Sequence, residues 1–236
     1  MEDIPKIIHY CWVGGKEKPK IVEKCINSWK HYLKGYEIVE WNEKNFNIEG
    51  FDFTKKAYKN KKWAFVSDYC RLWVLYNYGG IYLDTDMEVL KSLDDLLKNN
   101  SFGGLEDNLI AFGIWGCKKE DKFIGEVLNY YNDLNYDDYK DRLPELAIPI
   151  HITEIAKEKG YKESYNDVSY FLNQVAIYPK EYFYPKRHSW QEPIITDNTY
   201  TIHHYEGTWR KPHQILRSKF KERLLNFIRK FKSEKI

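Results

Sequence analysis

Between Trp63 and Tyr78 no proline or glycine interrupts the chain, and large apolar residues surround nearly every turn, the pattern of a helix buried on most sides. Gly79 and Gly80 then supply the backbone freedom that ends helices and turns the chain back. Ile81-Tyr82-Leu83 is a short apolar run suited to the interior of a sheet, and Asp84-Thr85-Asp86 follows at once. Side chains alternate along an extended chain, so the two aspartates are expected on one face, about 7 Å apart. Within the helix, Ala64, Asp68, Arg71 and Leu75 fall in one stripe, which sets a carboxylate and a guanidinium into an apolar seam.

The same patterning extends to both sides. Lys6 to Trp12 predicts a first buried strand, with Val13-Gly14-Gly15 as the turn leaving it. Ile21 to Tyr32 predicts an amphipathic helix, and Tyr36 to Trp41 a second, alternating strand. The polar stretch from Asn42 to Lys62 predicts short helices over the sheet. Met87 to Leu90 predicts a strand continuing beyond the aspartates, and Ser92 with Asp95 reads as the cap of a short helix. Ser101 to Leu105 and Leu109 to Cys117 predict two strands joined by Glu106-Asp107-Asn108, letters that suit a hairpin turn. Helices are expected over Asp121 to Tyr131 and Thr153 to Lys159, with an acidic loop from Asn132 to Asp141 between them. Late strands are expected at Val175 to Tyr178 and Thr199 to His203. Strands and helices in this order read as an open α/β sheet. Ligands bind outside the C-terminal strand ends of such sheets, where Trp12 stands either to stack on a base or to pack in the core.

With 236 residues, 43% of them hydrophobic, the chain can bury one sizeable core. Aromatic residues make up 17%, and their faces suit sugars and nucleobases as well as packing. The net charge of +2 is unevenly placed: residues 214–236 carry +6 and the rest −4, which argues against a nucleic-acid binder. From Pro212 onward, Leu216, Phe220, Leu224, Phe227, Ile228 and Phe231 recur at helical spacing among lysines and arginines. The expected organisation is therefore one main domain over residues 1–213 and a basic amphipathic helix over 214–236. That helix either lies on an anionic membrane surface or packs on the body. Cys11, Cys25, Cys70 and Cys117 lack metal-type spacing and sit in apolar segments, so they read as reduced core residues of a cytoplasmic protein. No signal peptide or membrane span is expected.

Two carboxylates held as close as Asp84 and Asp86 repel unless a cation neutralises them. Hard oxygen ligands suit Mg²⁺ or Mn²⁺, ions that leave positions open for phosphate oxygens. Taken singly, Asp-x-Asp is also a common turn, and Asp68 with Arg71 an ordinary helical ion pair.

Four blocks change that balance: Ile4 to Trp12 (IPKIIHYCW), Ser67 to Arg71 (SDYCR), Tyr78 to Asp86 (YGGIYLDTD) and His203 to Trp209 (HHYEGTW). Together they resemble the sugar-binding-region glycosyltransferases that contain a DXD motif. This is glycosyltransferase family 32, which includes capsular and lipopolysaccharide transferases and is similar to the catalytic domains of clostridial glucosylating toxins. The resemblance implies a GT-A fold, with a Rossmann-like central mixed sheet flanked by helices. It also implies a nucleotide-sugar donor, UDP-hexose ahead of GDP-mannose, a divalent cation, and retention of anomeric configuration during transfer to a glycan or lipid-linked acceptor.

Carried onto these positions, Asp86 is the direct metal ligand, joined by one of His203 and His204, with His204 preferred. Asp84 would contact ribose and sugar hydroxyls, Asp68 and Arg71 would hold the sugar, and Trp12 would contact the base. Tyr82 and Thr208 are substrate-binding positions, and the Trp209 indole N–H would donate to a phosphate or glycosidic oxygen. Asp107 and Asn108 are candidates for the transferred sugar, though a hairpin turn predicts the same letters. Where the family usually has a glycine-proline turn this chain has Ile148-Pro149-Ile150-His151, so His151 stays unassigned. A two-carboxylate glycosidase is a rival, since its usual separation of about 5 to 9.5 Å includes the expected spacing, but it needs neither cation nor nucleotide. A non-catalytic carbohydrate- or membrane-binding protein leaves the four blocks unexplained.

Overall fold

The computed structural model describes residues 3–172 and 174–207. Strand β1 (Ile7–Cys11) leads to helix α1 (Lys20–Tyr32), strand β2 (Glu37–Trp41) and helix α2 (Asp52–Lys59). The predicted central element follows as α3 (Trp63–Tyr78), β3 (Gly80–Leu83) and β4 (Met87–Val89). Then come β5 (Ser101–Glu106), β6 (Leu109–Cys117), α4 (Lys122–Asp133) and α5 (Ile148–Glu158). The described part closes with β7 (Ser169–Phe171), β8 (Val175–Tyr178), α6 (Lys180–Phe183) and β9 (Thr201–His203).

Seven strands form one mixed sheet in the order β2-β1-β3-β6-β5-β8-β7. Strands β2, β1, β3, β5 and β8 run one way, and β6 and β7 the other. Both faces are covered, so β3 is buried throughout yet still alternates. Ile81 and Leu83 pack with α1 on one side, while Tyr82 packs with α3 on the other. Residues of α2, α3, α4 and α5 fill the second layer around Phe112 and Trp115, whose rings stack 4.8 Å apart. The architecture is the expected three-layered α/β fold, and all four cysteines are buried and free.

Three local expectations need correction. Asp84 to Asp86 is not extended: the Met87 N–H donates to the Asp84 carbonyl at 2.9 Å, closing a turn, and the Asp84 N–H is anchored on Gly113 of β6 at 2.7 Å. Beyond that turn β4 leaves the main sheet and forms a separate antiparallel ribbon with β9, Met87 opposite His203. Helix α5 begins at Ile148, five residues before the expected Thr153, because Pro149 sits in its first turn, where a missing N–H costs nothing.

The joint between α3 and β3 is fixed by His9. The Trp41 indole N–H donates to its Nδ1 at 3.1 Å, so its proton is on Nε2, which donates to the Gly79 carbonyl at 2.8 Å. Burial then lowers the imidazole pKa to about 4 and keeps the ring neutral. Gly80 has φ +95°, and a Cβ there would stand 2.7 Å from the Ile7 carbonyl oxygen. We expect Gly80→Ala to lower stability in urea denaturation by about 1–3 kcal/mol; an unchanged midpoint would show that the β1–β3 joint is not tightly packed.

Candidate active site

Because β1, β3, β5 and β8 are parallel, their C-terminal ends share one edge of the sheet. Along it stand Trp12 after β1, Asp84 to Asp86 after β3, Glu106 to Asn108 at the end of β5, and Lys180 after β8. This is the edge at which open α/β sheets bind ligands.

The turn after β3 lies against the β4–β9 ribbon. Ribbon pairing puts His203 Nε2 3.2 Å from Asp86 Oδ1. Asp84, Asp86 and His203 each offer a ligand atom, and these atoms lie within 4.8 Å of one another. The Glu206 N–H donates to Asp86 Oδ2 at 3.0 Å, and the His204 N–H to the Asp86 carbonyl at 3.0 Å. Across the turn on β6 is Gly113, where a Cβ would come within 3.3 Å of Asp84 Oδ2 and of the Tyr184 hydroxyl. The ribbon is itself pinned to α1, through the Trp29 indole N–H on the Met87 carbonyl (2.7 Å) and the Val89 N–H on Ser28 Oγ (2.9 Å).

Strand alternation sets His203, and not the preferred His204, beside Asp86. His204 Nε2 pairs with Glu88 at 2.7 Å, Glu88 also binds Lys24 at 2.7 Å, and Lys186 Nζ lies 3.4 Å from His204 Nδ1. Burial holds both His204 and Lys186 below their ordinary pKa values. On the other face, burial disfavours a charged His203. The Asp86 carboxylate, helped by Glu106 and Asp84, outweighs that and raises the imidazole to about 9. Burial likewise opposes the ionised form of Asp86, but His203 and the Glu206 N–H hold its carboxyl below the usual range.

Arg71 and Asp68, expected to hold the sugar, make contacts within the protein. Both are buried, 6% and 7% exposed. Arg71 Nη2 bridges Asp68 Oδ1 and Asp84 Oδ1, each at 3.1 Å, and also meets Ser67 Oγ at 3.0 Å. Its Nη1 donates to the Phe112 carbonyl at 2.8 Å and its Nε to the Ser67 carbonyl at 3.2 Å. With its fork engaged by the protein, the guanidinium orients Asp84 from below. Burial pushes the Asp68 carboxyl up to about 7 despite Arg71. Tyr82 completes the support, its ring 4.7 Å beneath the guanidinium and its hydroxyl 3.4 Å from Asp84 Oδ1.

Of the remaining candidates, Trp12 is half-buried and donates its indole N–H to the Lys16 carbonyl at 2.7 Å, which shapes the loop after β1. Asp107 sits at the hairpin tip with φ +53° and pairs with Arg187 at 2.8 Å. His151 packs among Tyr130, Tyr131 and Tyr139. Thr208, Trp209 and the segment 214–236 lie outside the described residues. Glu106 was missed because a hairpin turn explained it: its carboxyl stands beside His203 and Tyr205, and burial raises its pKa. Glu88 and Lys186 were missed because only the ribbon brings them together.

Residues 19–103 match the family described as glycosyltransferase sugar-binding region containing DXD motif. The chain carries a DXD-type glycosyltransferase region. Over 122 residues it is 30% identical to inositol phosphoceramide mannosyltransferase 3 of Schizosaccharomyces pombe, covering 46% of this chain and 33% of that one. Inositol phosphoceramide mannosyltransferase 1 of the same organism is 27% identical over 109 residues, 43% of this chain and 34% of that one. The chain thus spans about a third of the length of these curated relatives. Among solved structures, the PaToxG glycosyltransferase superposes with a TM-score of 0.55 at 19% identity, over 66% of this chain and 69% of that one. The likeness is one of fold, the GT-A type. The matched glycosyltransferase region ends before His203, so the imidazole of the cluster comes from beyond it.

A His203 pKa near 9 exceeds the unfolded value near 6.5, so in the cation-free chain its stabilisation is complete below about 6.5 and is lost as pH rises through about 9. The melting temperature of the chain should therefore exceed that of His203→Gln by a margin that narrows between pH 6.5 and 9. A margin constant over that range would show that the imidazole is not held charged.

Proposed function

We propose that the chain is a metal-dependent retaining glycosyltransferase. It moves a hexose from a nucleoside diphosphate sugar, UDP-linked ahead of GDP-mannose, to a glycan or lipid-linked acceptor in surface-polysaccharide assembly. The observation that carries this reading is the convergence of Asp84, Asp86 and His203 at the ligand edge of the sheet, next to a sugar-binding region. Two carboxylates and one imidazole form a donor set that Mn²⁺ or Mg²⁺ fits, and without a cation His203 pairs with Asp86. A divalent cation bound there supplies neutralisation of the charge that builds on a diphosphate as the anomeric bond breaks.

The protein's own groups account for the rest. Asp86 is fixed by two backbone N–H groups, one on its carboxylate and one on its carbonyl, and Asp84 by Arg71, so the oxygens are oriented before any ligand arrives. Trp12 and the loop after β1 stand along the edge where the base of a nucleotide would lie. Retention is compatible with attack from the leaving-group side, the diphosphate taking the acceptor proton, so no carboxylate nucleophile is required. The expected cytoplasmic setting and the anionic membrane surface for segment 214–236 belong to this proposal; among the described residues no helix is long and apolar enough to cross a membrane.

Asp86→Ala tests the reading. With UDP and MnCl₂ the intact chain should be thermally stabilised and should slowly hydrolyse at least one sugar of a UDP- and GDP-linked panel. The variant should lose the cation-dependent stabilisation and roughly a hundredfold or more of the hydrolysis. Wild-type turnover in Asp86→Ala would overturn the assignment, and stabilisation by sugars alone, without cation or nucleotide, would favour the glycosidase.

A further inference from the structure

The imidazole of His203 is held in an uncommon way. Its Nε2 faces Asp86 Oδ1 at 3.2 Å, so Nδ1 is the nitrogen turned away from the cluster. That atom is buried, and among the described residues it has no hydrogen-bond partner. A histidine that serves as a metal ligand is ordinarily oriented by a bond from this second nitrogen to a carboxylate, a carbonyl or a water. Here aromatic rings grip the imidazole instead. The Tyr205 ring lies 4.1 Å from it, centroid to centroid, at an interplanar angle of 42°, and the Tyr184 ring meets it as a T at 5.9 Å and 76°.

The backbone singles out Tyr205 of the two. Its φ is +58°, in the left-handed region that a bulky side chain adopts only under strain. The turn it makes has a use of its own, because it brings the Glu206 N–H onto Asp86 Oδ2 at 3.0 Å. Glycine would make the same turn without strain, as Gly207 does at φ +56° two residues on. For the backbone alone a tyrosine is therefore the unfavourable choice, and what it adds is a ring and a hydroxyl. The far end of that ring is tethered. Its hydroxyl donates to the Lys186 carbonyl at 3.0 Å, in the loop after α6, and the Glu106 carboxyl at the end of β5 stands beside it. Burial, with Glu106, raises the pKa of the hydroxyl well above the usual phenol value and keeps it protonated. Tyr184, by contrast, is an unstrained core residue whose hydroxyl accepts from the Ile114 N–H at 3.1 Å.

We propose that Tyr205 is a positioning residue of the cluster: its strained, tethered ring sets the plane of the His203 imidazole and so aims Nε2 at the two carboxylates, where a divalent cation would bind. This rests on the metal-dependent reading above and deepens it, by naming what orients the imidazole in place of the missing Nδ1 hydrogen bond.

The test reads cation binding and needs no turnover. Mn²⁺ is titrated into the full chain with UDP and followed by electron paramagnetic resonance, and the melting temperature of the cation-free chain is recorded alongside, for Tyr205→Gly, Tyr205→Leu and Tyr205→Phe. Phenylalanine keeps the flat ring, leucine keeps bulk without one, and glycine removes the ring together with the strain. Tyr205→Gly and Tyr205→Leu should bind Mn²⁺ about tenfold or more weakly and lose or broaden the ¹⁴N coupling, and Tyr205→Phe should bind more tightly than either. A lowered melting temperature in Tyr205→Gly with unchanged Mn²⁺ affinity and ¹⁴N coupling would show a merely structural tyrosine and overturn the proposal. Tyr205→Phe binding no better than Tyr205→Leu would overturn it too, and that pair decides alone should the glycine variant not fold. Absence of Mn²⁺ binding in the unaltered chain would bring down the metal-dependent reading and this proposal with it, whereas tight binding shared by all three variants would bring down this proposal alone.

Discussion

The guanidinium of Arg71 is the charge on which the site depends. Two carboxylates, Asp68 and Asp84, lie within 3.1 Å of it, one within the helix layer and the other at the edge of the sheet. Neither Asp68 nor Arg71 reaches solvent to any useful extent, so each would be costly to bury alone. Removing one partner of such a buried set typically costs about 3–5 kcal/mol, because it strands the others. The constraint runs outward. Arg71 is held by Phe112 and Ser67, Asp84 is held by Arg71 and Gly113, and the turn to Asp86 inherits that position. The position of Asp84 is thus set from a buried helix beneath the sheet edge.

The second support is the β4–β9 ribbon. It sorts adjacent histidines by strand alternation, sending His203 to Asp86 and His204 to Glu88. The family match stops at residue 103, while the ribbon's second strand begins at Thr201. Completing the cluster therefore requires a pairing between segments more than a hundred residues apart.

The central helix, its glycine stop and the buried strand were legible because the 3.6-residue period, the helix breakers and the apolar run all agree over Trp63 to Leu83. The pairing of Asp68 with Arg71 was legible as helical spacing. Its purpose was not, since the third partner, Asp84, arrives by a tertiary contact that no local pattern contains. Asp84 and Asp86 were read as extended because strand periodicity carries no signal for the turn anchored on Gly113. His204 was preferred over His203 because alternation tells that neighbours diverge without telling which one faces Asp86. Glu106 was hidden by the adequacy of a turn explanation for Glu106-Asp107-Asn108. In each case the local letters offered the residue types, and long-range pairing decided which of them stand together.

The most direct test of this account is pulsed electron paramagnetic resonance of Mn²⁺ titrated into the chain with UDP. Asp84, Asp86 and His203 acting together predict one bound ion that shows ³¹P coupling from the diphosphate and ¹⁴N coupling from a single imidazole. The nitrogen coupling should disappear in His203→Gln and persist in His204→Gln. An ion without nitrogen coupling in the unaltered chain, or a coupling that disappears with His204 instead, would contradict it.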